Sequence, residues 1–418
     1  MVPGNVPVVL RTWWARTVEG LPKPFFVLLV GTFINRVGFF VQPFLALYLA
    51  GPRDLDASTV GTVVACFGFG SFVSQPVGGY LTDRIGRRTT LVGSMLGTAA
   101  AFMLFAAARG LVLIAVAATV AGLMIDAYRP AVSALVADLV TPERRPRAFA
   151  LLYWAINLGV SVAGVAGGFL ASRSYWLLFV LDAVTCAAFG VLIARLVPET
   201  RVEVGRVGGH GYGTVIRDGV LLGLVASTVL GSIVYLQHLV TLPLAMRADG
   251  YGPSGFGLVY AVNPLTVIAV QPLVLWVVDR LPAIPLLAGS SVVLGFGYWL
   301  ITFADTLPMF AATVVVWTLG EIGFNAVGPA LVADIAPPDQ RGRYSAAVGV
   351  AFGASAFAAP IVGTQVFQAF GETVLWSGCF VVATMSAMIV LALAPAIHAR
   401  RAALKTTSPG TAPVPVEP

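Results

Sequence analysis

Twelve runs of about twenty predominantly apolar residues, divided by short charged or Pro/Gly-rich breaks, constrain this chain more than any other feature. A helix needs roughly 20 such residues to cross the hydrocarbon core of a bilayer. In lipid every backbone polar group must be satisfied internally, which leaves helices and closed barrels as spanning structures. The runs fall at residues 25–50, 57–82, 89–108, 111–137, 147–171 and 175–197, then 219–246, 254–278, 283–304, 307–333, 343–369 and 372–397. The expected fold is all-α and integral to a membrane, with twelve transmembrane helices. The first run is too long for a signal-peptide core and has no small-residue cleavage site behind it, so it reads as a retained helix. Residues 1–24 form a mixed N-terminal segment, 198–217 a polar linker, and 398–418 a basic, then Ser/Thr/Pro-rich tail expected to be disordered.

Charge supports the same reading. Only 11% of residues are charged, against roughly 25% in soluble domains, so lipid must be the main solvent. Of the 25 Lys and Arg residues, 19 lie in the segments on the side of the two termini and four (Arg53, Arg109, Arg173, Arg247) on the other. The positive-inside rule places both termini in the cytoplasm. The net charge of +6 follows from that topology and requires no nucleic-acid partner. Lysine is nearly absent (Lys23, Lys405) while arginine is abundant, a bias of GC-rich bacterial genomes. The expected location is therefore a bacterial inner membrane, with lipid as the surrounding partner. Cys66, Cys186 and Cys379 sit far apart in apolar runs and suit packing better than metal binding or a disulfide framework.

The sequence repeats at a constant offset of 196 residues. Gln75-Pro76 returns as Gln271-Pro272, Asp83-Arg84 as Asp279-Arg280, Ala134 to Asp138 as Ala330 to Asp334, and Arg145 and Arg147 as Arg341 and Arg343. Six spans per copy is an even number, so both copies enter the membrane the same way. Two six-helix halves, 25–197 and 218–397, are thus expected as parallel repeats with a solute site between them near mid-membrane.

The strongest local pattern is Gly79-Tyr80-Leu81-Thr82-Asp83-Arg84-Ile85-Gly86-Arg87-Arg88, between the second and third runs. Asp83 ends a helix where its carboxylate can meet Arg87 or a neighbouring helix N-terminus. Gly86 permits a tight turn. Arg84, Arg87 and Arg88 hold to the side of the termini. The expected role of such a loop is to latch one conformation rather than to contact solute. The second copy, Asp279-Arg280-Leu281-Pro282, lacks the Gly-Arg-Arg ending. In the fifth run, Gly159, Gly164, Gly167 and Gly168 suit close helix packing.

Ionisable residues inside a membrane are costly and are functional candidates by default. Glu321, in the middle of the tenth run, suits a proton-coupling group or an anchor for a cation. Arg36 in the first run calls for a carboxylate or an anionic solute, or snorkels to the interface. Asp126 and Arg129 stand i, i+3 on one helix face and can neutralise each other or join the coupling. Asp182 has no evident partner in sequence. Gln237, His238, Tyr153, Trp154, Asn157 and Trp317 are the candidates for a cavity wall. The three histidines lie apart without metal spacing, no G-x-x-x-x-G-K-[ST] loop occurs, and no nucleophile–base cluster is seen. No catalytic residue, metal or cofactor is therefore expected.

The signature loop, which fits G-x-L-x-D-R-x-G-R-[KR] at every fixed position, together with twelve spans in two halves, resembles the major facilitator superfamily along nearly the whole chain. The Gly159 to Gly168 stretch is similar to that superfamily's antiporter signature, with Ala163-Gly164 where Gly-Pro is favoured. Thr318 to Ile322, Ala333-Asp334, Arg341 to Tyr344 and Tyr153 to Leu158 resemble the drug/proton antiporter group, LmrP-like. That resemblance implies a secondary transporter, a monomer, with protons and a small-molecule substrate as partners. It assigns proton coupling and binding of cationic compounds to Glu321. Two further carboxylates of the group are replaced here by Leu152 and Leu239, implying fewer coupled protons or a role for Asp126. The expected activity is proton-coupled export of an amphipathic or drug-like compound by alternating access. Symport or facilitated uptake of a metabolite, anionic if Arg36 and Arg129 face it, stays open, as does, more remotely, a membrane-embedded receptor or enzyme.

Overall fold

A computed structural model describes residues 19–200, 217–278, 280–337 and 340–407. Among the described residues, eleven continuous stretches are long and apolar enough to cross a membrane. The last, Arg341–Ala392, holds two helices separated at Gly371, whose φ of 79° turns the chain, so the crossings number twelve. Side chains such as Val112, Phe169, Trp176 and Val184 lie exposed on the helix surfaces, as lipid-facing residues must.

The helices are α1 Lys23–Val37 and α2 Val41–Ala50, α3 Ala57–Arg84, α4 Arg87–Ala107, α5 Leu111–Asp126 and α6 Tyr128–Leu139, α7 Arg145–Arg173, and α8 Tyr175–Leu196. After the linker come α9 Gly219–Tyr235 and α10 Gln237–Ala248, α11 Pro253–Val278, α12 Ala283–Trp299, α13 Leu307–Ile335, α14 Arg341–Phe370, α15 Glu372–Ala392 and α16 Ala394–Thr407.

Three runs that read as single helices are each broken in two, between α1 and α2, α5 and α6, and α9 and α10. The first two breaks have a covalent cause. Pro43 and Pro130 lack an N–H, which frees the carbonyls four residues back, at Phe39 and Asp126. Each proline then sits in the first turn of the helix that follows, where no intrahelical donor is needed. The first and third breaks lie at Phe40 and Leu236, which are 196 residues apart, the offset of the sequence repeat.

The chain divides into two compact units. The first holds α1 to α8 together with residues 239–268, and its core gathers Phe25, Leu28, Leu91, Met95, Leu135, Leu151, Phe189 and Ile193. Helices approach through small residues, because lipid offers no hydrophobic drive between them. A Cβ on Gly70 would stand 2.1 Å from the Thr119 carbonyl, and one on Gly122 2.0 Å from the Phe67 carbonyl, so α3 and α5 touch backbone to backbone. Gly164 and Gly168 of α7 meet Gly257 and Pro253 of α11 in the same way. This contact explains why residues 239–268 belong to the first unit, although the repeat assigns them to the second half.

The second unit holds α9 with Gln237 and His238, and the chain from Ala269 onward. Its core gathers Leu224, Ile284, Leu287, Phe324, Leu331, Val390 and Ile397. Ile397 comes from α16, in the region read as leading into a disordered tail. That expectation is corrected for residues 398–407, which continue α16. Arg400 there binds Asp218 and Tyr344, and Arg401 binds Asp334, contacts that side-chain spacing alone does not announce. Residues 1–18, 408–418 and most of the 198–217 linker, with Asp279 of the second signature copy, lie outside the described residues.

Candidate functional site

Within the first unit, the breaks bring three sequence candidates into one region. Arg36, at the end of α1, is 6% exposed and donates from Nη2 to the Tyr128 hydroxyl at the start of α6. Its guanidinium stands 5.0 Å from the Phe39 ring centre and 5.3 Å from that of Tyr128, so two aromatic faces receive the cation. The arrangement requires Gly159 on α7, where a Cβ would lie 2.5 Å from Arg36 Cβ. Arg36 is thus held between Tyr128 and Phe39 within the first unit. Next to it, Asp126 receives Arg129 Nε at 2.6 Å and the Ser71 hydroxyl. Arg129 is more than half exposed while Asp126 is largely covered.

Asp182 on α8 does have partners, which sequence reading missed. It accepts the backbone N–H groups of Phe40 (3.1 Å) and Val41 (3.0 Å) at the head of α2. The signal was its depth in an apolar run; the partner amides become visible only once the first run is known to break.

Tyr153 and Trp154 stand on the surface of α7, each exposed, and Asn157 is occupied by the Tyr153 carbonyl at 2.9 Å. These three belong to the first unit, and Glu321 and its neighbours to the second.

In the second unit, Glu321 is 8% exposed in mid-α13. Glycines put it there: a Cβ on Gly320 would meet Leu294 N at 2.3 Å, and one on Gly323 the Ser290 hydroxyl at 2.1 Å, so this stretch of α13 presses onto α12. Trp317, one turn earlier, is fully buried over Gly297 and stacks on Tyr298 (5.6 Å, 22°) and His238 (5.6 Å, 28°). Its indole Nε1 is buried without a hydrogen-bond partner among the described residues. The Tyr235 carbonyl, freed at the α9–α10 break, takes the Tyr298 hydroxyl at 2.7 Å and pairs with His238 Nδ1 at 2.6 Å. Electrostatic interaction links Tyr298 to Glu321. Gln237 donates to the Ile233 (2.9 Å) and Ala359 (3.1 Å) carbonyls and fills the space that Gly363 leaves. Glu321, Trp317, His238 and Gln237 therefore share one region, with Tyr298 as the member that sequence reading overlooked.

The signature loop is organised differently from its sequence reading. Gly86 has φ of 111°, a conformation that favours glycine, and begins the tight turn as expected. Arg87 is buried, but it faces Asp138 (Nε to Oδ2, 3.2 Å, off the line that a hydrogen bond needs) and the Thr82 carbonyl (3.4 Å). Asp83 is exposed, and Arg84 reaches the Tyr80 hydroxyl on its own helix. The head of α4 is covered by Glu199, which accepts the N–H groups of Arg88 (3.1 Å) and Thr89 (3.0 Å) and the Thr89 hydroxyl (2.9 Å). Partial burial raises the Glu199 pKa, but these donors outweigh it and hold the carboxyl below its ordinary value. Arg88 donates to the Ala194 carbonyl, and Thr200 ties Asp138 at 2.7 Å. Steric demand sits at Gly78, whose Cβ would lie 2.7 Å from the Ala127 carbonyl, and not at Gly79, which has nothing within 4 Å.

Among the described residues no group of three or more His, Cys, Asp or Glu is placed to hold a metal ion.

Known proteins share this architecture. The chain is 25% identical over 394 residues to a Na(+), Li(+), K(+)/H(+) antiporter of Planococcus maritimus, covering 85% of this chain and 92% of that protein. It is 26% identical over 339 residues to the multidrug resistance protein MdtH of Cronobacter sakazakii, covering 78% and 83%. The crystal structure of the peptide transporter POT in complex with sulfate superposes with a TM-score of 0.77 at 18% identity, covering 91% of this chain and 96% of that one. The family model of the Major Facilitator Superfamily matches residues 28–320 and 238–417, and the chain belongs to that superfamily of membrane transporters.

Proposed function

We propose that this transporter is a proton-coupled exporter, an antiporter that exchanges protons for a small amphipathic or drug-like compound by alternating access. The carrying observation is Glu321, a buried carboxyl group in mid-membrane beside Trp317, Tyr298 and His238. Held away from bulk water, such a group exists neutral in one state and ionised in another, and its ionised form attracts a cation. The aromatic faces around it suit the apolar part of an amphipathic solute. The names of two relatives, a cation/proton antiporter and a multidrug resistance protein, support this reading. Arg87 with Asp138, and Glu199 over the head of α4, act as the latch for one conformation of the first unit. In this reading the protein works as a monomer in a bacterial inner membrane, and the arginine distribution supports placing both termini in the cytoplasm.

The test is efflux of a fluorescent cation from loaded right-side-out vesicles under an imposed pH gradient, with wild type and Glu321→Gln compared. Efflux by wild type and its loss in the variant support the reading. Unchanged efflux by Glu321→Gln removes the coupling role from Glu321.

One observation favours a second reading, uptake of an anionic metabolite. Arg36 is a buried cation whose Nε has no hydrogen-bond partner among the described residues and whose Nη2 bonds a neutral phenol. Gradient-driven accumulation of an organic anion in right-side-out cells, lost in Arg36→Gln, would replace the exporter reading by this one.

A further inference from the structure

The hinge of the first span is held by a carboxylate from a different helix. Asp182 is 1% exposed on α8. Its Oδ2 alone accepts both Phe40 N–H (3.1 Å) and Val41 N–H (3.0 Å), the amides left over where α1 stops and α2 begins. Its Oδ1 faces the Cys186 thiol at 3.6 Å, and the same sulfur receives Asn35 Nδ2 at 3.2 Å. A continuous polar chain thus runs from Asn35 on α1 through Cys186 and Asp182 to the head of α2. One turn along α8, Thr185 closes on Gly38 inside the break, where a Cβ would stand 1.9 Å from the Thr185 hydroxyl. Both contacts of α8 are aimed at the three residues that interrupt the span.

The titratable and charged groups acting on Asp182 are Cys186 of α8 itself and then Arg36 of α1, while Phe40 and Val41 at the head of α2 supply the two amides. Arg36 in turn feels Asp126 of α5 and Arg129 of α6. An ionised carboxylate is the acceptor that two convergent N–H groups and a helix N-terminus call for. A protonated one loses an acceptor site, gains a donor and no longer complements the positive end of α2.

We propose that Asp182 is a second proton site of this transporter, and that a proton taken up there releases the cap on α2 and frees the first span to bend at Gly38–Phe40. The one covalent change is an O–H bond: a proton from the medium adds to the carboxylate, two amide hydrogen bonds are given up, and loss of the proton breaks that bond and restores them. This rests on the proton-coupled reading above, but it concerns a residue in the other unit from Glu321 and a motion rather than the solute.

The test reads backbone motion, so it stands apart from substrate identity and transport direction. Full-length protein in lipid nanodiscs is followed by hydrogen–deuterium exchange of the peptide covering residues 38–42, corrected for intrinsic rates, across roughly pH 8 to 5, where buried carboxyl groups titrate. Wild type is expected to show exchange rising roughly tenfold as pH falls, the scale of losing charge-assisted hydrogen bonds. Asp182→Asn, which keeps an acceptor oxygen but cannot titrate, should abolish the pH dependence, and Glu321→Gln should leave it intact. Asp182→Glu should keep it with a displaced midpoint; this variant serves if the Asn variant does not fold. Flat exchange in wild type, or wild-type pH dependence surviving in Asp182→Asn or undisplaced in Asp182→Glu, overturns the proposal. Loss of the response in Glu321→Gln as well would also overturn it, since the proton site would then lie elsewhere.

Discussion

Arg87 faces Asp138, not Asp83: the guanidinium Nε lies 3.2 Å from the Asp138 carboxylate, while Asp83, four residues before Arg87 in the signature loop, is exposed. The acidic partner comes from α6 and the basic one from α4, so the pair staples the fourth span to the loop that follows the second. Asp138→Asn is expected to lower stability by about 1 to 2 kcal/mol. That lies between a surface ion pair and a buried one, because Asp138 retains some water contact. Asp83→Asn should change stability by less than about 0.5 kcal/mol. Fluorescence-detected thermal unfolding in detergent checks both. An equal loss in the two variants would argue against the staple.

Adjacent glycines should behave in opposite ways. Gly78→Ala places a methyl group 2.7 Å from the Ala127 carbonyl, at backbone that cannot yield freely, and is expected to cost about 1 to 3 kcal/mol. Gly79→Ala meets nothing within 4 Å and should be neutral or slightly stabilising in its helix. The same thermal assay with transport alongside distinguishes them.

The exposed pair of Arg129 with Asp126 should matter little for stability. Arg129 is more than half exposed, so Arg129→Ala is expected to cost roughly 0.2 to 1 kcal/mol. A large loss of transport with that small loss of stability would assign Arg129 a direct part in moving the solute.

The cap on α4 should fail in acid. The Glu199 carboxyl is held below its ordinary 4.5 by the amides of Thr89 and Arg88 and the Thr89 hydroxyl, against the opposing effect of burial. A depressed folded value means that the stabilisation is complete above the unfolded value of 4.5 and is lost as pH falls through the lower folded one. Glu199→Gln should therefore lower stability at neutral pH and converge with wild type below that window, as unfolding curves over pH will read. A constant difference at every pH would mean that the charge plays no part.

Asp218 should hold the C-terminal helix in place. It caps α9 through the amides of Val220 (3.1 Å) and Leu221 (3.2 Å) and also receives Tyr344 and Arg400. Asp218→Ala is expected to speed tryptic cleavage after Arg400 and Arg401 several-fold without altering cleavage elsewhere. Unchanged cleavage would show that Ile397, fully buried in the core, and the Arg401–Asp334 pair hold α16 without Asp218.

What the sequence determined by itself is what the membrane dictates. Hydrocarbon thickness sets the length of each apolar run, and the cost of moving arginine across lipid sorts charge to one side. Gene-level duplication left the offset of 196 residues readable at Gln75 and Gln271 and at Asp138 and Asp334. Glu321 was legible for the same reason, since a carboxyl group in an apolar run is conspicuous. Tertiary structure decided the partners. Asp182 meets Phe40 and Val41 across more than 140 residues, and only after a proline interrupts the first span are there amides to meet. Asp138 and Glu199 take places that local spacing offered to Asp83, because a carboxylate from a neighbouring segment reaches the head of α4 while Asp83 on its own helix points away. Which residues are ionisable inside the membrane is written in one dimension; which of them touch depends on how close glycine lets two helices come, as Gly159 does for Arg36.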